Sequence, residues 1–152
     1  MSDYVRRIRG LIGNELLLMP SVSVLVDDGR NRLMLVRHAD SGLWGIIGGA
    51  VEVDERPEHA AVRETQEENG LHVELVRLVT ALGGPDFRVT YGNDHETAYV
   101  TIVYEARLAG GEERPDGDEV IELGWFGRSD LKTIPLNTLA KATLQEVGWL
   151  TP

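Results

Sequence analysis

The chain has no cysteine, and it has fewer basic than acidic residues. The absence of cysteine excludes disulfide bonds, thiolate metal ligands and a cysteine nucleophile. No apolar run approaches the roughly 18 residues that a membrane-spanning helix requires. The opening sequence MSDYVRRIRG also lacks the apolar core of a signal peptide. We therefore expect a protein of the cytoplasm that has no membrane partner.

Positive charge is in short supply. The 15 basic residues are outnumbered by 25 acidic residues, which gives a net charge of −10 over 152 residues. Binding to nucleic acid depends on lysine and arginine side chains that neutralise phosphates. We therefore expect no affinity for duplex nucleic acid, and a small molecule as the partner. The length predicts a single domain over residues 1–152, which is large enough to bury a core.

The most specific pattern lies in residues 48–71, which read GGAVEVDERPEHAAVRETQEENGL. A helix is predicted from Pro57, which suits a first helical position, to the glycine stop at Gly70. Residues three and four apart share one helix face, so this helix carries three carboxylates on one side: Glu64, Glu67 and Glu68. Like charges at this spacing destabilise a helix. A solvated acidic face and a site for a hard cation are the two interpretations of the cluster alone.

The spacing of residues over the whole of this stretch favours the cation site. Eight positions match one spacing of glycine, glutamate, arginine and aliphatic residues: Gly49, Glu55, Arg63, Glu64, Glu67, Glu68, Gly70 and Leu71. At these positions the stretch resembles the box of the Nudix family. Thr65 stands where that pattern has an aliphatic residue, and Ile47 stands where a proline is usual.

The resemblance implies a fold, an activity and a metal. The fold is an α/β/α sandwich around a mixed β-sheet. The activity is hydrolysis of the pyrophosphate bond of a nucleoside diphosphate linked to another moiety. The metal is Mg²⁺, with Mn²⁺ as a substitute. The implied ligands are the carboxylates of Glu64, Glu67 and Glu68 and the backbone carbonyl of Gly48.

The resemblance also implies roles for the remaining charged residues. The planar fork of Arg63 suits the orientation of a carboxylate, with Glu55 or one of the three glutamates as its partner. The implied catalytic residues are Arg63, Glu64, Glu67 and a downstream acid that precedes Trp125-Phe126. Glu119 fits that position best, and Glu122 stays open as an alternative. Glu52, three residues before Glu55, is a further candidate that faces substrate or metal, or else faces solvent from a strand.

Several substrates and functions are compatible with this reading. Pro85 lies about where relatives that cleave ADP-ribose carry a proline, which favours ADP-ribose or another sugar nucleotide. A nucleoside triphosphate pyrophosphohydrolase is the second candidate. An inactive nucleotide-binding module is the third, and the intact set of charged residues argues against it. A structural acidic domain with a chance match is the last, and a homodimer is left open.

Outside the box, polarity patterns predict the remaining elements. Strands are expected over 21–26, 32–37, 50–53, 71–82, 87–91, 97–108 and 120–126, and helices over 4–11 and 136–149. The first two strands should form a hairpin. Residues 109–118, rich in glycine and acid, predict a mobile loop that closes over substrate. The N-terminal arginines predict a solvated helix face, and Trp44 predicts a packing role.

Overall fold

The fold is a mixed, seven-stranded sheet with helices on both faces. A computed structural model describes residues 2–152. Over these residues the helices are α1 (Asp3–Ile12), α2 (Pro57–Asn69) and α3 (Thr138–Glu146). The strands are β1 (Leu17–Asp27), β2 (Arg32–His38), β3 (Trp44–Ala50), β4 (Leu71–Leu82), β5 (Arg88–Thr90), β6 (Glu96–Gly111) and β7 (Val120–Gly127). None of the helices described is both long and apolar enough to cross a membrane.

The strand order is β4-β6-β1-β3-β2-β7, and β5 pairs with β6. Strands β1 and β6 are parallel, whereas the other paired strands are antiparallel. Because side chains alternate along a strand, β1 serves two cores. Val24 packs with Ala60 of α2 on one face, and Leu25 belongs with Leu144 of α3 to the cluster on the other. The expected α/β/α sandwich is confirmed.

Strand β3 changes its partner halfway along its length. Residues 44–46 pair with β2, whereas residues 47–50 pair with β1. The backbone N–H of Gly48, in the second half, donates to the carboxylate of Glu68 at 2.9 Å instead of to a strand. The partner change therefore gives helix α2 direct access to the backbone of the central strand.

The predicted hairpin of the first two strands is largely wrong. Strands β1 and β2 pair only at Asp27 and Leu33, because β2 turns away to pair with β3 and β7. The predicted strand over 50–53 is also wrong. The strand ends at Ala50, and the chain then turns, with Glu55 N–H donating to the Glu52 carbonyl and Asp54 at a φ of 64°.

Two terminal features also differ from expectation in extent. The last helix spans residues 138–146 rather than 136–149, because the side chain of Asn137 caps it by accepting the N–H of Ala140 at 2.8 Å. The β6 strand runs to Gly111, three residues beyond the predicted end.

Trp44 packs as predicted: it is buried, and its ring meets Phe126 edge-on with 4.9 Å between the centroids.

The prediction of a solvated arginine face on α1 is wrong for Arg9. Its side chain is buried at 7% exposure. The guanidinium donates to the carbonyls of Gly13, Glu15 and Glu96 and to the hydroxyl of Thr97, at 2.7–3.1 Å. A guanidinium has five donors and a long apolar stem, so it can reach the start of β6 from α1. Arg9 therefore fastens the N-terminal helix to the sheet.

We expect Arg9→Ala to lower the free energy of unfolding by about 2 kcal/mol, since a hydrogen bond to a charged group contributes about 1.5–3 kcal/mol. Urea unfolding measures the change. Arg7→Ala is the matched control, because Arg7 is exposed on the same helix and only lies over the ring of Tyr4. Equal stability of the two variants would contradict a structural role for Arg9.

Candidate active site

Helix α2 begins and ends where its sequence predicts. Pro57 is its first residue, and Gly70 follows its last residue with a left-handed φ of 74°. Thr65, the departure from the family pattern, is fully buried on the inner face of the helix. Its hydroxyl donates to the carbonyl of Ala61 at 2.8 Å, so the polar atom is satisfied inside the helix. Thr65 therefore replaces an aliphatic residue without an unpaired donor.

Arg63 is the hub of the site. Its Nε and Nη2 donate to the two carboxylate oxygens of Glu55 at 2.7 and 2.9 Å. Its Nη1 reaches Glu64 at 2.9 Å and Glu67 at 3.2 Å, and Nη2 also donates to the carbonyl of Ala50 at 3.2 Å. The sequence left open whether Arg63 holds Glu55 or one of the three glutamates. It contacts both kinds of partner, so one cation fixes three carboxylates.

Two adjacent glycines let the helix carboxylates approach the β3 backbone. A Cβ at position 49 would stand 2.5 Å from the carboxyl carbon of Glu64, so a side chain there would push the Glu64 carboxylate out of this position. A Cβ at position 48 would collide with the carbonyl oxygen of Val22. The Gly48 N–H holds Glu68, as described above. Gly48 therefore contacts the site through its N–H. The implied role of its carbonyl as a metal ligand stays a prediction.

Burial makes two of these carboxylates unusual acids. Burial, together with the charges of Glu67 and Glu119, raises the pKa of Glu64 to about 7 against the opposing effect of Arg63. Burial raises the pKa of Glu68 as well, and nearby acids add to the rise. By contrast, the hydrogen bond from Arg63 lowers the pKa of Glu55. The site therefore has more negative charge than Arg63 alone balances.

Two acids from the loop between β6 and β7 face the same helix. This segment, which we call the 112–119 loop, comprises residues 112–119. The negative charge of Glu119 contributes to the raised pKa values of both Glu64 and Glu68, and that of Asp116 contributes at Glu68. Sequence reasoning selected Glu119 and missed Asp116. The composition of residues 109–118 predicts a flexible loop, although an aspartate before glycine, as in Asp116-Gly117, is also a turn signal.

The other two candidate acids lie elsewhere. Glu122 forms an ion pair across the β2–β7 ladder with Arg37, at 3.1 Å. Glu52 lies in the loop after β3 rather than in a strand. Its backbone N–H donates to Glu55 at 3.0 Å, and its side chain is half-buried. Within residues 2–152, neither carboxylate accepts a hydrogen bond from Arg63, which holds Glu55, Glu64 and Glu67.

The donor set suits a hard cation. Its side chains offer only carboxylate oxygens, which Mg²⁺ and similar ions prefer. Among residues 2–152, no three acidic or imidazole side chains stand close enough to form a ready-made metal site. Arg63 occupies oxygens of Glu64 and Glu67 in this arrangement. The excess of buried negative charge nevertheless fits a cation, because a buried charge is stable only when it is paired.

Comparison with known proteins identifies the family. The NUDIX domain profile matches residues 17–147, and the chain therefore belongs to the Nudix family. It is similar to a MutT-like protein of Streptomyces ambofaciens, with 37% identity over 62% of this chain and 54% of that protein. It is also similar to the nucleoside triphosphatase NudI of Klebsiella pneumoniae, with 30% identity over 85% of this chain and 96% of that protein.

A solved structure extends the likeness. The chain is similar to an ADP-ribose pyrophosphatase from Streptococcus suis, with 27% identity, a TM-score of 0.66, and coverage of 86% of this chain and 91% of that one. The chain spans only about half the length of the first curated relatives that it matches, at 54% and 46%. The profile match thus establishes the family, but it does not specify the activity or the substrate of this chain.

Because Arg63 bridges three carboxylates through its fork, we expect Arg63→Lys to lower the melting temperature by several degrees. Lysine keeps the charge but cannot make a bidentate contact, and losing about 1–3 kcal/mol of charged hydrogen bonds shifts the midpoint of a chain this size by roughly 2–4 °C per kcal/mol. Thermal unfolding followed by circular dichroism checks this. Arg56→Lys, at an exposed ion pair with Glu58, is the control; an equal shift in both variants would contradict the assignment.

Proposed function

We propose that the protein hydrolyses the pyrophosphate bond of a nucleoside diphosphate linked to another moiety, with a divalent cation. The observation that carries this proposal is the placement of two carboxylates, the buried Glu68 and the half-buried Glu64, against the bare backbone of Gly48 and Gly49. A solvated acidic face would not bury these side chains. Their burial beside a single arginine supports a site that receives positive charge from outside the chain.

The cation would be held by carboxylates of α2. Glu64, Glu67 and Glu68 are the proposed ligands, with the carbonyl of Gly48 as a further oxygen, and Mg²⁺ is the proposed ion with Mn²⁺ as a substitute. When bound, such an ion neutralises charge on phosphoryl oxygens and makes water a stronger acid. Arg63 orients Glu64 and Glu67, and Glu55 fixes Arg63 in turn through the two-point contact described above.

Glu119 is the proposed acceptor for the proton of the attacking water. Its charge acts on Glu64 and Glu68 from outside the helix, on the side of the 112–119 loop. A carboxylate is a suitable acceptor for the proton of an attacking water when it lies within hydrogen-bond reach of that water. Phosphoryl transfer needs mainly positioning and charge neutralisation, and a set of fixed carboxylates provides both. Glu52 is a further residue that we propose for contact with substrate.

ADP-ribose or another sugar nucleotide is the leading substrate proposal. The similarity to the ADP-ribose pyrophosphatase of Streptococcus suis supports it. The second candidate is a nucleoside triphosphate, which the match to nearly the full length of the Klebsiella nucleoside triphosphatase supports. In both cases the same bond type breaks next to the same carboxylates. We further propose that residues 1–152 form one domain that acts in the cytoplasm.

Release of nucleoside monophosphate across a substrate panel tests the reaction. The panel contains ADP-ribose, UDP-sugars and the common nucleoside triphosphates, each assayed with Mg²⁺, with Mn²⁺ and with excess chelator. We expect hydrolysis only with added cation, because Arg63 alone does not balance the carboxylates. Full activity in excess chelator would exclude the mechanism. Cation-dependent stabilisation without turnover on any substrate would instead indicate a nucleotide-binding module.

We expect Glu119→Gln to lower kcat by at least about tenfold, which is roughly 1.4 kcal/mol of barrier, because the amide cannot accept the proton. Glu122→Gln is the matched control, since Glu122 pairs with Arg37 on the neighbouring strand, and it should change kcat by less than about twofold. Steady-state kinetics on the best substrate of the panel measure both. The reverse ranking would transfer the role to Glu122.

A further inference from the structure

The 112–119 loop is anchored at its start to the end of helix α2. The N–H of Arg114 donates to the carbonyl of Asn69 at 2.9 Å. Asn69 is fully buried, and its side-chain oxygen accepts the N–H of Leu71 at 3.0 Å. A Cβ on Gly70 would collide with the carbonyl oxygen of Glu112. The first half of the loop is thus packed directly against the residue that follows Glu68 in the helix.

At its end, the loop is fixed by one aspartate. The Oδ1 atom of Asp116 accepts the backbone N–H of Asp118 at 2.8 Å and that of Val120 at 2.9 Å. These two peptide groups lie on either side of Glu119. The carbonyl of Glu119 itself accepts the N–H of Ala39, in the loop after β2, at 2.9 Å. The backbone around Glu119 is therefore held by these three hydrogen bonds and by a fourth, from the N–H of Gly117 to the carbonyl of Val120 at 3.0 Å.

We propose that Asp116 is a positioning residue, which acts through Glu119: by accepting the backbone N–H groups of the residues before and after Glu119, it fixes the backbone from which the Glu119 carboxylate extends. This inference rests on the proposed function, in which Glu119 accepts a proton. An aspartate oxygen that accepts two backbone donors restricts rotation of the chain between them. Displacement of a reacting group by about 1 Å can cost as much as 10²-fold in rate, so such a restraint affects catalysis directly.

A competing role for Asp116 is electrostatic, because its charge is also felt at Glu68. The two roles predict different effects of the same substitution. Asp116→Asn keeps an oxygen that can accept both N–H groups but removes the charge, whereas Asp116→Ala removes both. A positioning role therefore requires that asparagine restore what alanine loses.

The experiment measures kcat, KM and melting temperature for four variants on one substrate. They are Asp116→Ala, Asp116→Asn, Glu119→Gln and the double variant Asp116→Ala/Glu119→Gln. We expect Asp116→Ala to lower kcat by about tenfold or more with KM within about twofold, and Asp116→Asn to keep at least about one third of wild-type kcat. The double variant should be no slower than Glu119→Gln, because residues that act as a unit are not additive. Asp118→Ala, at an exposed acid in the same loop, is the control.

Three results would overturn the inference. An equal loss in Asp116→Asn and Asp116→Ala would assign the role to charge. Additive losses in the double variant would show that Asp116 does not act through Glu119. Wild-type kcat in Asp116→Ala would exclude any role.

A second measurement is independent of activity. Hydrogen exchange at the amides of residues 118 and 120 should accelerate in Asp116→Ala and stay slow in Asp116→Asn. If exchange at these amides does not accelerate in Asp116→Ala, the inference is refuted, whatever the substrate is. If the exchange results are as expected and the panel shows no hydrolysis, it is the proposed function that fails.

Discussion

The site depends on one arginine that holds three carboxylates together. Without Arg63, the carboxylates of Glu55, Glu64 and Glu67 would lose the cation that offsets their mutual repulsion. The guanidinium can prevent this because its donors point in fixed directions and match a carboxylate edge to edge. Glu55 takes the edge formed by Nε and Nη2, and Nη1 is left for Glu64 and Glu67. The geometry of one side chain thereby sets the positions of several acids.

The sheet supplies the second constraint. Because β3 exchanges β2 for β1 halfway along, the N–H of Gly48 is free to bind a helix side chain, and the bare backbone of Gly49 accepts the Glu64 carboxylate alongside. The end of α2 and the 112–119 loop lie next to each other beside this site. Helix and loop meet at Asn69 and Arg114. The convergence of these elements brings Glu119 from a distant part of the sequence to Glu64 and Glu68.

The sequence predicted features that depend on local spacing and missed those that depend on distant contacts. The ends of α2 at Pro57 and Gly70 and its acidic face depend on residues close in sequence, so the sequence alone predicts them. The burial of Arg9 could not, because the carbonyls that receive its donors come partly from Glu96, 87 residues away. Composition predicted a mobile loop over residues 109–118, but it did not predict that one oxygen of Asp116 accepts the amides of Asp118 and Val120. The predicted hairpin failed for the same reason, since β2 gains more partners by leaving β1.

The outer edge of the sheet has a bearing on how separate copies of the chain behave. Strand β4 lies at this edge, is 12 residues long, and exposes Val76 and Leu78. A long edge strand is a template to which a strand of another molecule can add when it is straight. Here the ladder to β6 is interrupted at three places, and ion pairs of Glu74 and Arg77 with β6 place charge along the edge. The bulges and the charges make the β4 edge a poorer template for the addition of a strand from another copy.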